Sequence, residues 1–185
     1  LLERVIYQKA LGSMAQKAAR VEELAAWIGA HVRQTAPVDE QAVARAARLV
    51  YADLVTEVVR EFPELQGHMG GVYARKDGEA ERVAIAVEQF YYPIGAKSPA
   101  PATAEAAVVS LAGKLDGLAG CFAAGLIPTG SADPYALRRQ ALGLLRIVLE
   151  KQLPLDLDEA LARAVALQPA AVADPAKLAA QLGDF

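Results

Sequence analysis

The chain has 185 residues, 54% of them hydrophobic and 22% charged, a balance that excludes a disordered chain and suits one sizeable core. Its formal net charge of −3 excludes an overall basic footprint of the nucleic-acid-binding kind but leaves room for a local basic face. The single cysteine, Cys121, excludes an internal disulfide and reads as a small buried hydrophobe in a reducing, cytoplasmic compartment.

The chain opens LLERVIYQKALG, with no initiator Met and no signal peptide, which predicts a piece of a longer protein. Leu1, Val5, Ile6 and Leu11 predict a short first helix ending near Gly12. Ser13 with Gln16 forms a capping box for a second helix, whose stripe of Met14, Ala18, Val21, Leu24, Ala25 and Ile28 stops near Gly29. Pro37 and Asp39 open a third helix that runs to about Phe62. Gly67, Gly70 and Gly71 mark tight turns and a close helix approach around a short helix at 69–76, since their spacing fits no phosphate-binding fingerprint. A further helix covers about 79–92 and ends at Pro93, and 93–102 form a loop.

Thr103 caps a long apolar helix to about Ala124, and Lys114, Asp116 and Asp133 flank its apolar run, which is too short to span a bilayer. In PTGSADPYALRR, Asp133 reads as an N-cap and Pro134 as the first residue of a helix to about Lys151. Its buried stripe is Leu137, Ala141, Leu144, Leu145 and Val148, while Arg139, Gly143 and Arg146 share another face. That face is either a flat positive spot for a phosphate backbone or two arginines paired with acids. Asp156 and Glu159 make a capping box for a helix to about Leu167, and a last helix covers about 175–182. With no run alternating at period two and no repeat, the fold class is all-α, an irregular helical bundle.

Against these elements, ELQGHMGGVYARKDGEAERVAIAVEQFYYP, KLDGLAGCFAAGLIPTGSADPYALRRQALGLLRIVLEK and LGSMAQKAARVEELAAWI resemble the central region of the bacterial glycyl-tRNA synthetase β subunit. The resemblance covers most of residues 1–155 and weakens after about Leu155. It implies a degenerate HD-like domain at 1–153, with 154–185 as C-terminal helices that either open a next domain or share the core. It also implies an α₂β₂ assembly in which the α subunit activates glycine with ATP and Mg, and the β subunit binds tRNA(Gly) and completes the tetramer. No cofactor is then expected in this chain, and no membrane partner.

An HD site needs two histidines and two aspartates around metal. In the register the resemblance implies, the doublet falls on Ala52-Asp53, the distant acid on Asp116 and the first histidine on Lys17. Both histidines are then replaced, and His31 and His68 have no ligand spacing, so no metal ligands and no catalytic residues are assigned. Lys17, Asp53 and Asp116 converge in this reading, the ammonium standing where a cation would relieve two carboxylates. Arg138, Arg139 and Arg146, with Lys97 and Arg75, are the candidate tRNA contacts. A purely structural interaction module is the alternative, and a metal-dependent phosphohydrolase the remotest one.

Overall fold

A helix covered by its neighbours along almost its whole length organises the molecule. In the computed structural model, which describes residues 1–169 and 172–185, helix Ala104–Ala123 runs through the centre of an all-α bundle. Thr103 starts it by accepting the Ala106 amide at 3.1 Å. By length and hydropathy this helix could cross a membrane, unlike the shorter apolar run considered alone, but 89% of its apolar window is covered by the other helices.

Elements are labelled in chain order. The first helix expected from the sequence is not formed. Leu2–Arg4 make a 3-10 turn, and Ile6–Gln8 (β1) pair antiparallel with Gly12–Ser13 (β2). Ile6, counted in the expected apolar stripe, is exposed, and Gly12 at φ +86° closes the hairpin. Ser13 and Gln16 then make the expected reciprocal capping box on α1 (Met14–Val32). α1 passes through Gly29, because burying Val32 completely outweighs the cost of an internal glycine, about 1 kcal/mol.

Asp39 caps α2 (Glu40–Leu49) by accepting the amides of Gln41 and Ala42. The long third helix is broken. Residues Ala52–Val55 form a 3-10 turn, and Thr56 caps a new short helix, α3 (Glu57–Glu61). The hydroxyl of Thr56 also donates to the Asp53 carbonyl at 2.7 Å, which fixes the break. α4 (His68–Lys76) and α5 (Glu81–Glu88) form a hairpin. Their axes approach because Gly70 and Gly71 have no side chains: a Cβ on Gly71 would sit 2.6 Å from Glu88 Cβ.

The opening of α7 (Leu137–Lys151) also differs from the expected one. Asp133 does cap it, accepting the Leu137 and Arg138 amides at 2.7 and 2.9 Å. It does so from four residues upstream, however, because Ala136 adopts φ +52° and delays the helix. Pro134 therefore lies in the preceding turn, not at the first helical position. Leu145 is exposed, and Ile147 is the buried residue instead. Asp156 and Asp174 cap α8 (Leu157–Ala166) and α9 (Pro175–Asp184). α1, α2, α5, α7, α8 and α9 all lie against the central helix, α6, and one contiguous core runs from Met14 to Leu182.

Candidate functional site

Asp116 sits in the middle of α6 and is wholly buried. Lys17 Nζ donates to its Oδ2 at 2.6 Å, and Arg20 Nε donates to its Oδ1 at 2.6 Å. Gln168 Nε2 adds a third donor at 3.2 Å. Burial alone would push this carboxyl up, but Lys17 and Arg20 together outweigh it and hold the group below the usual aspartate range. Lys17 and Arg20 reach the same acid because they are three residues apart on the buried stripe of α1. Arg20 and Gln168 were not singled out from the sequence. An arginine on an apolar stripe was a usable signal, whereas Gln168 carried none.

Asp53 does not join this cluster. Its Oδ2 accepts the Gly67 and Gly70 amides at 2.7 and 3.1 Å, so the carboxylate serves the start of α4. Gly67 is at φ +84°, and a Cβ there would lie 2.9 Å from the Tyr91 ring, so glycine is required. Burial raises the Asp53 carboxyl above its ordinary range, only partly opposed by those amides. Asp53 Oδ1 is buried with no hydrogen-bond partner among the described residues. Ala52 is exposed at the start of the 3-10 turn. Of the three positions expected to converge, Lys17 and Asp116 meet, while Asp53 serves the Gly67 and Gly70 amides.

Above Lys17 lies a cleft of about 390 Å³, bounded by α1, α6, the start of α7 and the Tyr91–Ile94 segment. Lys17, Lys114 and Arg139 line it together with Tyr7, Tyr51 and Tyr91. Lys17 stacks on the Tyr7 ring, 4.2 Å from its centroid. Lys114 is buried and donates to the Tyr91 carbonyl at 3.2 Å. Burial lowers its pKa to about 8. Tyr51, Phe90 and Tyr91 pack edge to face, so Phe90 and Tyr91 belong to the cleft wall and the core beneath it.

The candidate RNA-contacting cations fall in three settings. Arg138 and Arg139 are exposed on the first turn of α7, and neither guanidinium has a hydrogen-bond partner among the described residues. Arg146 is committed locally: its Nη1 donates to the carbonyls of Ala96 and Ser98 at 3.2 and 2.7 Å, and its Nε to Glu150. Gly143, between them, is covered, with Pro93 and Lys114 against it, so the flat open spot expected around it does not exist. Lys97 is exposed in the 93–102 loop. Arg75 is held by Glu81 and Glu88 at 2.9 and 2.8 Å, and these hydrogen bonds raise its pKa further.

His31 Nδ1 lies 2.8 Å from the Trp27 carbonyl and His68 Nδ1 lies 3.1 Å from Glu88. Among the described residues no three His, Cys, Asp or Glu side chains group closely enough to hold a metal ion. Cys121 is buried 4.0 Å from the Tyr7 hydroxyl, and burial pushes its thiol up, away from nucleophilic use.

The family model described as glycyl-tRNA synthetase beta subunit matches residues 1–185, including the stretch past Leu155. Among curated proteins, the chain is 53% identical over 166 residues to a glycine–tRNA ligase beta subunit of Nitratidesulfovibrio vulgaris (strain DSM 19637 / Miyazaki F), covering 90% of this chain and 23% of that protein. It is 52% identical over 164 residues to the same-named protein of Pseudomonas fluorescens (strain Pf0-1), covering 89% and 23%. With that of Pseudomonas syringae pv. syringae (strain B728a) identity is 50% over 184 residues, covering 100% and 26%. The chain thus spans about a quarter of the length of the curated relatives it matches.

Proposed function

Because the chain belongs to the glycyl-tRNA synthetase beta subunit family, we propose that it is a tRNA-binding and assembly domain of a glycine–tRNA ligase. In this reading a separate α subunit activates glycine with ATP and Mg. This chain helps hold tRNA(Gly) near that site within a cytoplasmic α₂β₂ enzyme and does no chemistry itself. It occupies the central, HD-like region of the β subunit, with 1–153 as the HD-like unit and 154–185 as following helices. The all-α architecture and the Lys17–Asp116 pair support the HD-like part of this reading.

The observation that carries the RNA-binding role is the pair of adjacent exposed arginines, Arg138 and Arg139, at the start of α7. Two adjacent exposed guanidinium groups favour a phosphate, positioning RNA without reading its sequence. Lys97 belongs to the same reading as an exposed neighbour, and Arg146 as a residue that fixes the 93–102 loop as well as a candidate contact. Arg75 is the weakest member, since two carboxylates already hold it. The test is a titration of the complete subunit, assembled with its partner, against tRNA(Gly) and a non-cognate tRNA across a salt series. Affinity that falls steeply with salt supports the reading, and salt-insensitive or absent binding removes it.

A second reading rests on a different face. Leu142 and Leu149 on α7 are 69% and 75% exposed, with Leu145 between them. An exposed leucine row of this kind suits burial against another domain, making the chain a structural interaction module that never touches RNA. Loss of assembly, with tRNA affinity of the remaining assembled enzyme unchanged, in a Leu142→Ser, Leu149→Ser variant would favour this second reading.

A further inference from the structure

The cleft above Lys17 shares Arg139 with the RNA-surface reading but adds Lys17 and Lys114, which that reading does not use. Its wall carries Lys17, Lys114 and Arg139 and no carboxylate. Asp116 lies behind Lys17, but it is shared between two cations, so the Lys17–Arg20–Asp116 group keeps a net positive charge. Lys114 has a carbonyl as its polar partner and no acid against it, and Arg139 has no hydrogen-bond partner among the described residues. Buried cations are ordinarily paired, because desolvating an unpaired charge is costly. Three cations converging on one recess, without an acid among them, is the arrangement expected where an anion is received.

The remaining wall is mostly apolar and aromatic, Met14, Leu54 and Ile94 with the rings of Tyr7, Tyr51 and Phe90, and it carries the uncharged polar side chains of Gln66, Ser110 and Gln140. A volume of about 390 Å³ lies in the range of small-ligand sites and is too small for a folded partner. The chemistry that matches both halves is a phosphate joined to a flat, weakly polar body. We propose that this cleft binds a nucleoside 5′-phosphate, with Lys114 and Arg139 on the phosphate and the tyrosine-lined wall against the base. The ligand comes either as a free nucleotide or as the phosphorylated terminal nucleotide of an RNA strand. The metal-ligand chemistry of an HD site plays no part, since cationic side chains supply all the positive charge.

The test is calorimetric titration of the chain with AMP, adenosine and inorganic phosphate, followed by competition with a short RNA carrying either a 5′-phosphate or a 5′-hydroxyl. AMP should bind saturably and adenosine at least about tenfold more weakly, the loss of one or two charge-assisted contacts. Lys114→Met and Arg139→Gln should each weaken AMP by about tenfold or more, while Lys177→Met on exposed α9 leaves it unchanged. Arg139→Gln alters an exposed residue, so it remains informative if Lys114→Met fails to fold. Displacement of AMP by the 5′-phosphorylated RNA only identifies a strand end as the source, and its failure identifies a free nucleotide. No saturable AMP signal up to millimolar concentrations, or wild-type affinity in both variants, overturns the proposal. The outcome is separable from the tRNA titration, because AMP has no polynucleotide backbone for the α7 surface to follow.

Discussion

Lys17 and Asp116, ninety-nine positions apart in the chain, meet at 2.6 Å behind the wall of the cleft, the acid wholly buried and the lysine nearly so. Arg20 shares the same acid, so a single carboxylate ties α1 to α6 through two cations. Asp116→Ala should therefore be far worse than either partner's loss, because it leaves two buried charges uncompensated. A destabilisation of about 3–5 kcal/mol is expected in urea unfolding. Lys17→Met should cost less, as Arg20 still satisfies the acid. The folded carboxyl lies below its ordinary range, so its contribution is present above the unfolded aspartate pKa and fades as pH falls through the lower folded value. The difference between wild type and Asp116→Asn should shrink accordingly in strongly acidic buffer.

Asp53 predicts the opposite behaviour toward its amide. Asp53→Ala strips two buried amides, Gly67 and Gly70, of their acceptor and should cost about 2–3 kcal/mol. Asp53→Asn keeps an acceptor oxygen and removes a charge that burial disfavours. Its folded pKa is raised, so the native state binds more protons in the window above the ordinary aspartate value, and wild-type stability falls as pH rises through it. Asp53→Asn should lose that fall, measured by thermal unfolding between pH 3 and neutrality, roughly the window in which such a carboxyl titrates.

Lys114 should be a stability cost that function retains. The unfolded chain keeps this lysine protonated to 10.5 and the folded chain only to about 8. Between those values the unfolded state holds more protons, so stability rises with pH across the window. Lys114→Met should raise the melting temperature at neutral pH, by up to roughly 3 kcal/mol in free energy, with the advantage shrinking toward pH 10.5. A variant less stable than wild type at neutral pH would contradict the cost assigned to this buried charge.

Arg139→Glu should lower tRNA affinity of the assembled enzyme and reduce the slope of log affinity against log salt by about 1. Arg75→Gln should leave affinity unchanged, since its donors are already held by Glu81 and Glu88. An equal loss in both would argue that overall charge, and not the α7 start, governs binding.

What the sequence made legible follows from how local each cause is. The capping box of Ser13 and Gln16, the caps at Thr103 and Asp156, and the close approach at Gly70 and Gly71 are set within a few residues and were readable. The hairpin at 6–13 was not, because its strands are too short to alternate and Ile6, its most apolar residue, faces water. The break at Thr56 was hidden because Val50, Leu54 and Val58 continue a helical spacing that the tertiary fold overrides. At the site, Lys17 and Asp116, which meet at 2.6 Å, were reached through the family pattern. Arg20 was not, although its place on the same stripe marked it, and Asp53 was misdirected because nothing local says which amides a buried carboxylate will serve.

The burial of α6 on every side has a consequence for how the molecule opens. A helix at the rim can fray while the remainder stays intact, but the amides of Ala106–Phe122 can meet solvent only when helices on several sides separate together. Deuterium should enter this stretch last, at a rate set by complete unfolding, while the first turns of α3 and α9 exchange early. Slow and fast labelling would then divide the chain into a shared axle and the parts that turn loose from it one at a time.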